Sequence, residues 1–112
     1  FLTCPESGAP EAHKRAILEA RADTTVITRA FSGRPARGLV NTFIARLAGK
    51  EGAILPYPLQ NALTRAMRTA AAQRDESGFM SLWAGRGVAR ARVLPAGDLV
   101  RCLVEEIAAA GS

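Results

Sequence analysis

Apolar positions along this chain recur mostly at helical spacing. From Pro58 to Gln73, the residues Leu59, Ala62, Leu63, Ala66, Met67 and Ala70 form one stripe, which predicts an amphipathic helix with that stripe buried. At about 100° per residue, Asn61, Thr64, Arg65 and Arg68 fall on the opposite side. Tyr57 projects just ahead of them from the turn Leu55-Pro56-Tyr57-Pro58. That polar side either faces water or lines a polar pocket, and periodicity is compatible with both. A second helix is predicted over Leu39–Ala48, where Leu39, Val40, Phe43, Ile44 and Leu47 share a face and Gly49 ends it. A third is predicted over Glu11–Arg21, with Pro10 suited to the first helical position and Glu11 and Arg15 paired at i,i+4. A last helix begins near Pro95, with Asp98 in its first turns and Leu99, Leu103, Val104 and Ile107 as its buried face. Ala108–Ser112 is expected to fray.

Strand signals are sparse. Thr24–Thr28 is rich in β-branched residues and predicts a short strand. Phe1–Cys4 reads as the end of another, followed by a loop over Pro5–Pro10. Phe79–Trp83 reads as one or two helical turns closed by Ala84-Gly85-Arg86-Gly87, and Val88–Val93 as a helical turn or an extended segment. Two short strands do not make a self-sufficient sheet. The expected helices therefore need a partner layer, and the chain reads as a fragment of a larger protein.

Composition narrows the function classes. The 112 residues correspond to one domain at most, with 48% apolar and 22% charged residues. No apolar run approaches the roughly 20 residues of a membrane span, and no signal peptide is recognisable. Cys4 and Cys102 stand in no metal or redox spacing and read as free thiols of a reducing, cytoplasmic setting. The net charge of +5 admits an anionic ligand or nucleic acid. The arginines are spread over loops and several helix faces, and aromatics are only 5%, which argues against a nucleic-acid binder.

Candidate chemistry is thin. No metal-ligand cluster, nucleophile triad or acidic pair is present, so no catalytic residue is assigned. His13 lies in a polar first turn and reads as a solvated surface histidine. Between Thr24 and Lys50 there is no acidic residue, while Arg29, Arg34, Arg37, Arg46 and Lys50 are basic. Ser32-Gly33-Arg34 can present amides and a guanidinium to an anion. Equally, Arg34 and Arg37 can fork onto carbonyls or carboxylates and anchor the loop. Tyr57 and Trp83 suit either a flat ligand or a core.

Four segments, in order, resemble the C-terminal part of the nitronate monooxygenase family, also called 2-nitropropane dioxygenases. They are Phe1–Ser7, Thr28–Gly38, Tyr57–Leu63 and Leu82–Gly87. The resemblance implies an α/β TIM barrel of which residues 1–112 are the C-terminal fragment: the end of the last barrel strand and the following helices. It implies FMN, and oxidation of alkyl nitronates by O2 to carbonyl compounds and nitrite. The upstream barrel segment would hold the catalytic half, so the fragment is expected to be inactive alone. Tyr57, Gln60, Asn61, Arg65 and Trp83 would line the substrate and flavin pocket, with Arg34 and Arg37 anchoring anion or loop. Some members carry tyrosine, tyrosine and lysine at fourfold spacing; here these positions hold Tyr57, Asn61 and Arg65. Those departures leave open an NAD(P)H-dependent quinone or enoyl reductase. A small basic helical binding module is the alternative outside the enzyme class.

Overall fold

The computed structural model describes residues 1–111, with Ala22 described by its backbone alone. Helix α1 spans Glu11–Glu19, strand β1 Thr25–Thr28, strand β2 Ala36–Leu39, helix α2 Thr42–Leu47, helix α3 Leu59–Gln73 and helix α4 Ala96–Ala110. Short 3-10 turns lie at Ala22–Thr24, Glu51–Ala53, Ser77–Phe79 and Val88–Arg90.

The two strands form an antiparallel hairpin in which Thr25 faces Leu39 and Thr28 faces Ala36. The second strand falls where the sequence reads as loop and helix start, because Ala36-Arg37-Gly38 carries almost no apolar alternation. Its other edge is not bare. Leu39 N–H donates to Leu82 O at 2.9 Å, Ala84 N–H donates to Arg37 O at 3.2 Å, and Gly38 bridges Trp83. Gly38 permits this approach, since a Cβ there would lie 3.0 Å from Leu82 O. Residues 82–84 are therefore extended, and of the expected helical turn Phe79–Trp83 only Phe79 is helical, as the last residue of the 3-10 turn Ser77–Phe79.

Asn41 explains why α2 starts late. Its Oδ1 accepts from Ile44 N–H at 3.3 Å as an N-cap, and its Nδ2 donates to Ser77 O and Met80 O at 3.0 and 2.7 Å. At the other end of the chain, Phe1–Cys4 forms turns rather than a strand, with Cys4 N–H donating back to Phe1 O. Thr3 Oγ1 donates to Arg92 O at 2.6 Å and pins this segment. Helix α4 runs to Ala110 instead of fraying from Ala108; Ser112 lies outside the described residues.

The core gathers Ala12 and Ile17 of α1, Leu39, Ala71 of α3, Met80, Leu82 and Val88. Beside it Phe31, 1% exposed, packs on Phe43 at 5.0 Å and edge-on to Trp83 at 5.6 Å. Helix α3 corrects the expected stripe. Leu59 and Leu63 are 58% and 66% exposed, whereas Gln60, Thr64 and Ala71 are buried. Helix α4 buries Leu99 but leaves Val104 and Ile107 on the surface. The radius of gyration is 16.0 Å, against about 13 Å for a compact domain of this length. Among the described residues no helix is long and apolar enough to cross a membrane.

Candidate functional site

The geometry centres on two loops pressed together at the start of α3. The turn after β1 runs through Ala30–Arg34, and the entrance to α3 through Leu55–Pro58. Gly33 has φ +92°, and a Cβ there would meet Tyr57 N at 2.5 Å and Leu55 O at 2.8 Å. Only glycine takes both the left-handed backbone and this approach. Gln60 then ties the loops together. Its Nε2 donates to Ala30 O at 2.7 Å, and its Oε1 accepts from Leu55 N–H at 3.1 Å. One turn later Thr64 Oγ1 donates to Phe31 O at 2.5 Å. These partners account for the burial of two polar side chains on α3: each satisfies a backbone group of a loop that lacks a sheet to satisfy it.

Within this frame Tyr57 is 46% exposed, and the Arg34 guanidinium sits over its ring at 4.2 Å from the centroid. The Arg34 backbone is fixed by Ser32, whose Oγ accepts from Arg34 N–H at 3.2 Å and donates to Arg34 O at 3.3 Å. The first amides of α3 are already occupied, since Leu59 and Gln60 N–H both donate to Pro56 O. The polar flank of α3 carries Asn61, whose Oδ1 and carbonyl both accept from Arg68 Nη2, at 2.8 and 2.9 Å. Arg68 also donates to Thr64 Oγ1. Burial and the nearby Arg65 charge hold the Arg68 guanidinium below its ordinary pKa. Arg65 itself is exposed, one turn beyond Asn61.

Two other predicted positions lie on the sheet side. Arg37, on β2, donates from Nη1 to Thr25 O and Oγ1 at 3.3 and 3.1 Å and so braces the hairpin. Trp83 stands on the extended segment beside β2 and connects to the α3 entrance through Phe31, whose ring it meets and whose carbonyl Thr64 binds. His13 is buried, 8% exposed, contrary to its expected place in water. Its Nε2 lies 3.2 Å from Trp83 O, to which it donates in the tautomer protonated there. Burial lowers its pKa, and the Trp83 carbonyl opposes this. A polar first turn hides this role from sequence reading, because the partner is 70 residues away. The bracing roles of Gln60, expected in the pocket wall, and of Thr64 are equally hidden, their carbonyl partners lying about 30 residues upstream in a loop.

Among the described residues no group of three or more His, Cys, Asp or Glu side chains is placed to hold a metal ion. Both cysteines are free. The chemistry available at the α3 entrance is therefore an exposed aromatic face, a guanidinium stacked on it and a polar flank.

Comparison with known proteins gives these features a context. Residues 1–106 match the nitronate monooxygenase family model. The nitronate monooxygenase of Pseudomonas aeruginosa is 44% identical over 108 residues, covering 96% of this chain and 31% of that protein. A probable nitronate monooxygenase of Bacillus subtilis is 48% identical over 88 residues, covering 79% of this chain and 25% of that protein. The crystal structure of nitroalkane oxidase from Streptomyces ansochromogenes superposes with a TM-score of 0.88 at 47% identity, over 98% of this chain and 31% of that one. FabK from Thermotoga maritima shares the fold, with a TM-score of 0.70 at 22% identity over 95% of this chain and 34% of that one. Both structural neighbours are TIM barrels, and this chain spans about a third of each. The chain belongs to the nitronate monooxygenase family of enzymes.

Proposed function

We propose that this chain is the C-terminal part of a single FMN-binding barrel domain that oxidises alkyl nitronates with O2 to carbonyl compounds and nitrite. The observation that carries the reading is the family match over residues 1–106, supported by 44–48% identity to named and probable nitronate monooxygenases. FMN supplies the redox chemistry when bound. The residues present fit the substrate side of such a group. Tyr57 offers an exposed ring, Arg34 and Arg65 offer positive charge to an anionic substrate, and Asn61 offers an amide on the same flank. They do not include a phosphate cradle, because the first amides of α3 are bound to Pro56 O. On this reading the upstream barrel segment provides the phosphate-holding loops and the catalytic groups.

Gln60 acts one step back. Both ends of its amide are committed to Ala30 and Leu55, so it positions the Tyr57 loop instead of contacting substrate. Arg37 and Trp83 similarly hold the hairpin and Phe31 behind the site.

The test uses the barrel-length protein containing this chain. Purified with its flavin, it should consume O2 and release nitrite with a short-chain alkyl nitronate, and Tyr57→Phe or Asn61→Ala should change KM or kcat without releasing flavin. Rapid NAD(P)H-dependent quinone reduction with no nitrite from nitronates would overturn the assignment in favour of a reductase. The 112-residue chain alone should show no turnover.

A further inference from the structure

Of the basic residues in the acid-free stretch Thr24–Lys50, Arg37 is bound to Thr25, and Arg46 lies over the Phe79 ring at 5.3 Å. Arg34 lies at the α3 entrance. Its guanidinium rests on Tyr57, and among the described residues no carboxylate lies within ion-pair distance of it. Stacking engages the face of a guanidinium and leaves the N–H groups at its edge free. Those N–H groups form a planar fork, which matches two oxygens of a planar anion.

The fork is also preorganised. Gly33 brings the loop against Tyr57 N, Ser32 binds both the N–H and the carbonyl of Arg34, and Gln60 locks Ala30 to Leu55. Each contact is made before any ligand arrives, which lowers the ordering cost of binding. Arg65 lies six residues into α3, roughly 9 Å along the axis from Leu59. It has no comparable support.

We propose that Arg34, stacked on Tyr57, is the specificity-determining cation that recognises a planar, two-oxygen anion at the α3 entrance. This rests on the reading of that entrance as the substrate wall. It puts the main anion-recognising role on Arg34 and leaves Arg65 a secondary one. A nitronate, with its two oxygens and charge in one plane, is the substrate chemistry that fits.

The experiment compares wild type, Arg34→Met, Arg34→Lys and Arg65→Met in the flavin-loaded, barrel-length protein. It measures KM and kcat for an alkyl nitronate, and binding of nitrate, a planar oxyanion probe, through flavin absorbance. Arg34→Met should raise the nitronate KM and the nitrate dissociation constant about tenfold or more, the scale of one lost charge-assisted pair. Flavin content and melting temperature should stay unchanged. Arg34→Lys keeps charge without the fork and should recover only part of the loss; Arg65→Met should raise both constants less than Arg34→Met does. The proposal is overturned by unchanged constants in Arg34→Met, by flavin loss that accounts for the effect, or by a larger effect at Arg65. If Arg34→Met does not fold, unchanged nitrate binding in Arg34→Lys overturns it. Wild type that binds nitrate through Arg34 but does not turn over nitronate would sink the proposed reaction and leave the anion site standing. Wild type that does neither sinks both.

Discussion

At the residue scale, three glycines separate conformational strain from steric exclusion. Gly33 and Gly49 both have positive φ, +92° and +76°, but only Gly33 faces other atoms; a Cβ at Gly49 would meet nothing within 4 Å. Gly49→Ala should cost the strain alone, about 1–2 kcal/mol. Gly33→Ala adds a contact with the backbone of Leu55–Tyr57 that cannot give way, so it should cost clearly more, about 3 kcal/mol or above. Gly52→Ala, with ordinary φ and open space, is the control and should be near neutral. Chemical denaturation of the three variants checks the order. His13 supplies a pH signature. Its folded pKa lies below the ordinary 6.5 because burial disfavours the charged form. Below pH 6.5 the unfolded chain therefore takes up a proton that the folded chain resists. Stability should be flat above that value and fall as pH drops through it. Melting temperatures between pH 5 and 8 should show this slope in wild type and a flatter one in His13→Gln.

At the scale of elements, α3 shows what the pattern carries and what it omits. Leu59 to Gln73 is legible as a helix, and its Tyr57 entrance is legible as a turn. The buried face is not legible. Leu59, Leu63 and Ala66 form the strongest apolar stripe, yet the helix turns Gln60, Thr64 and Ala71 inward. Periodicity reports which residues are apolar, and it assumes that an apolar stripe has a partner. Here Ala30 O, Leu55 N and Phe31 O need partners more than the leucines do within this chain, because an unpaired buried backbone group is costly. Strand β2 is not legible for a related reason: Gly38 is required by close approach to Leu82 and Trp83, not by strand propensity. Of the candidate site, the sequence brings together Tyr57, Asn61 and Arg65 as one flank, and it picks out Arg34 through the acid-free stretch. That Arg34 lies on Tyr57 depends on a contact between loops 23 residues apart, which no spacing encodes. The reversal of α3 is measurable. Thr64→Val and Gln60→Leu should each cost about 1–3 kcal/mol, more for Gln60 because two groups lose a partner. Leu63→Ser, in the 112-residue chain, should stay within about 0.5 kcal/mol. If instead Leu63→Ser is the more damaging change, the leucine face is covered in the isolated chain.

At the scale of the molecule, both α3 and α4 carry an outward apolar face. Leu59 and Leu63 on α3, and Val100, Val104 and Ile107 on α4, are 49–72% exposed. The chain is extended, 50 Å along its longest axis, and a third of a barrel's length aligns with it. Exposed apolar surface of this kind favours association, and the proposed C-terminal position in a barrel gives those faces something to cover. The two settings should respond oppositely to the same substitutions. In the 112-residue chain, Leu63→Lys with Val104→Lys should leave the melting temperature nearly unchanged and reduce self-association in sedimentation velocity, since no packing is lost and charge is added. In the barrel-length protein, a leucine or valine buried against the barrel should cost about 1.5–3 kcal/mol when its apolar contact is removed, before the penalty for a buried charge. Equal tolerance in both settings would mean that the barrel covers neither face, and that these helices meet solvent or another molecule in the barrel-length protein.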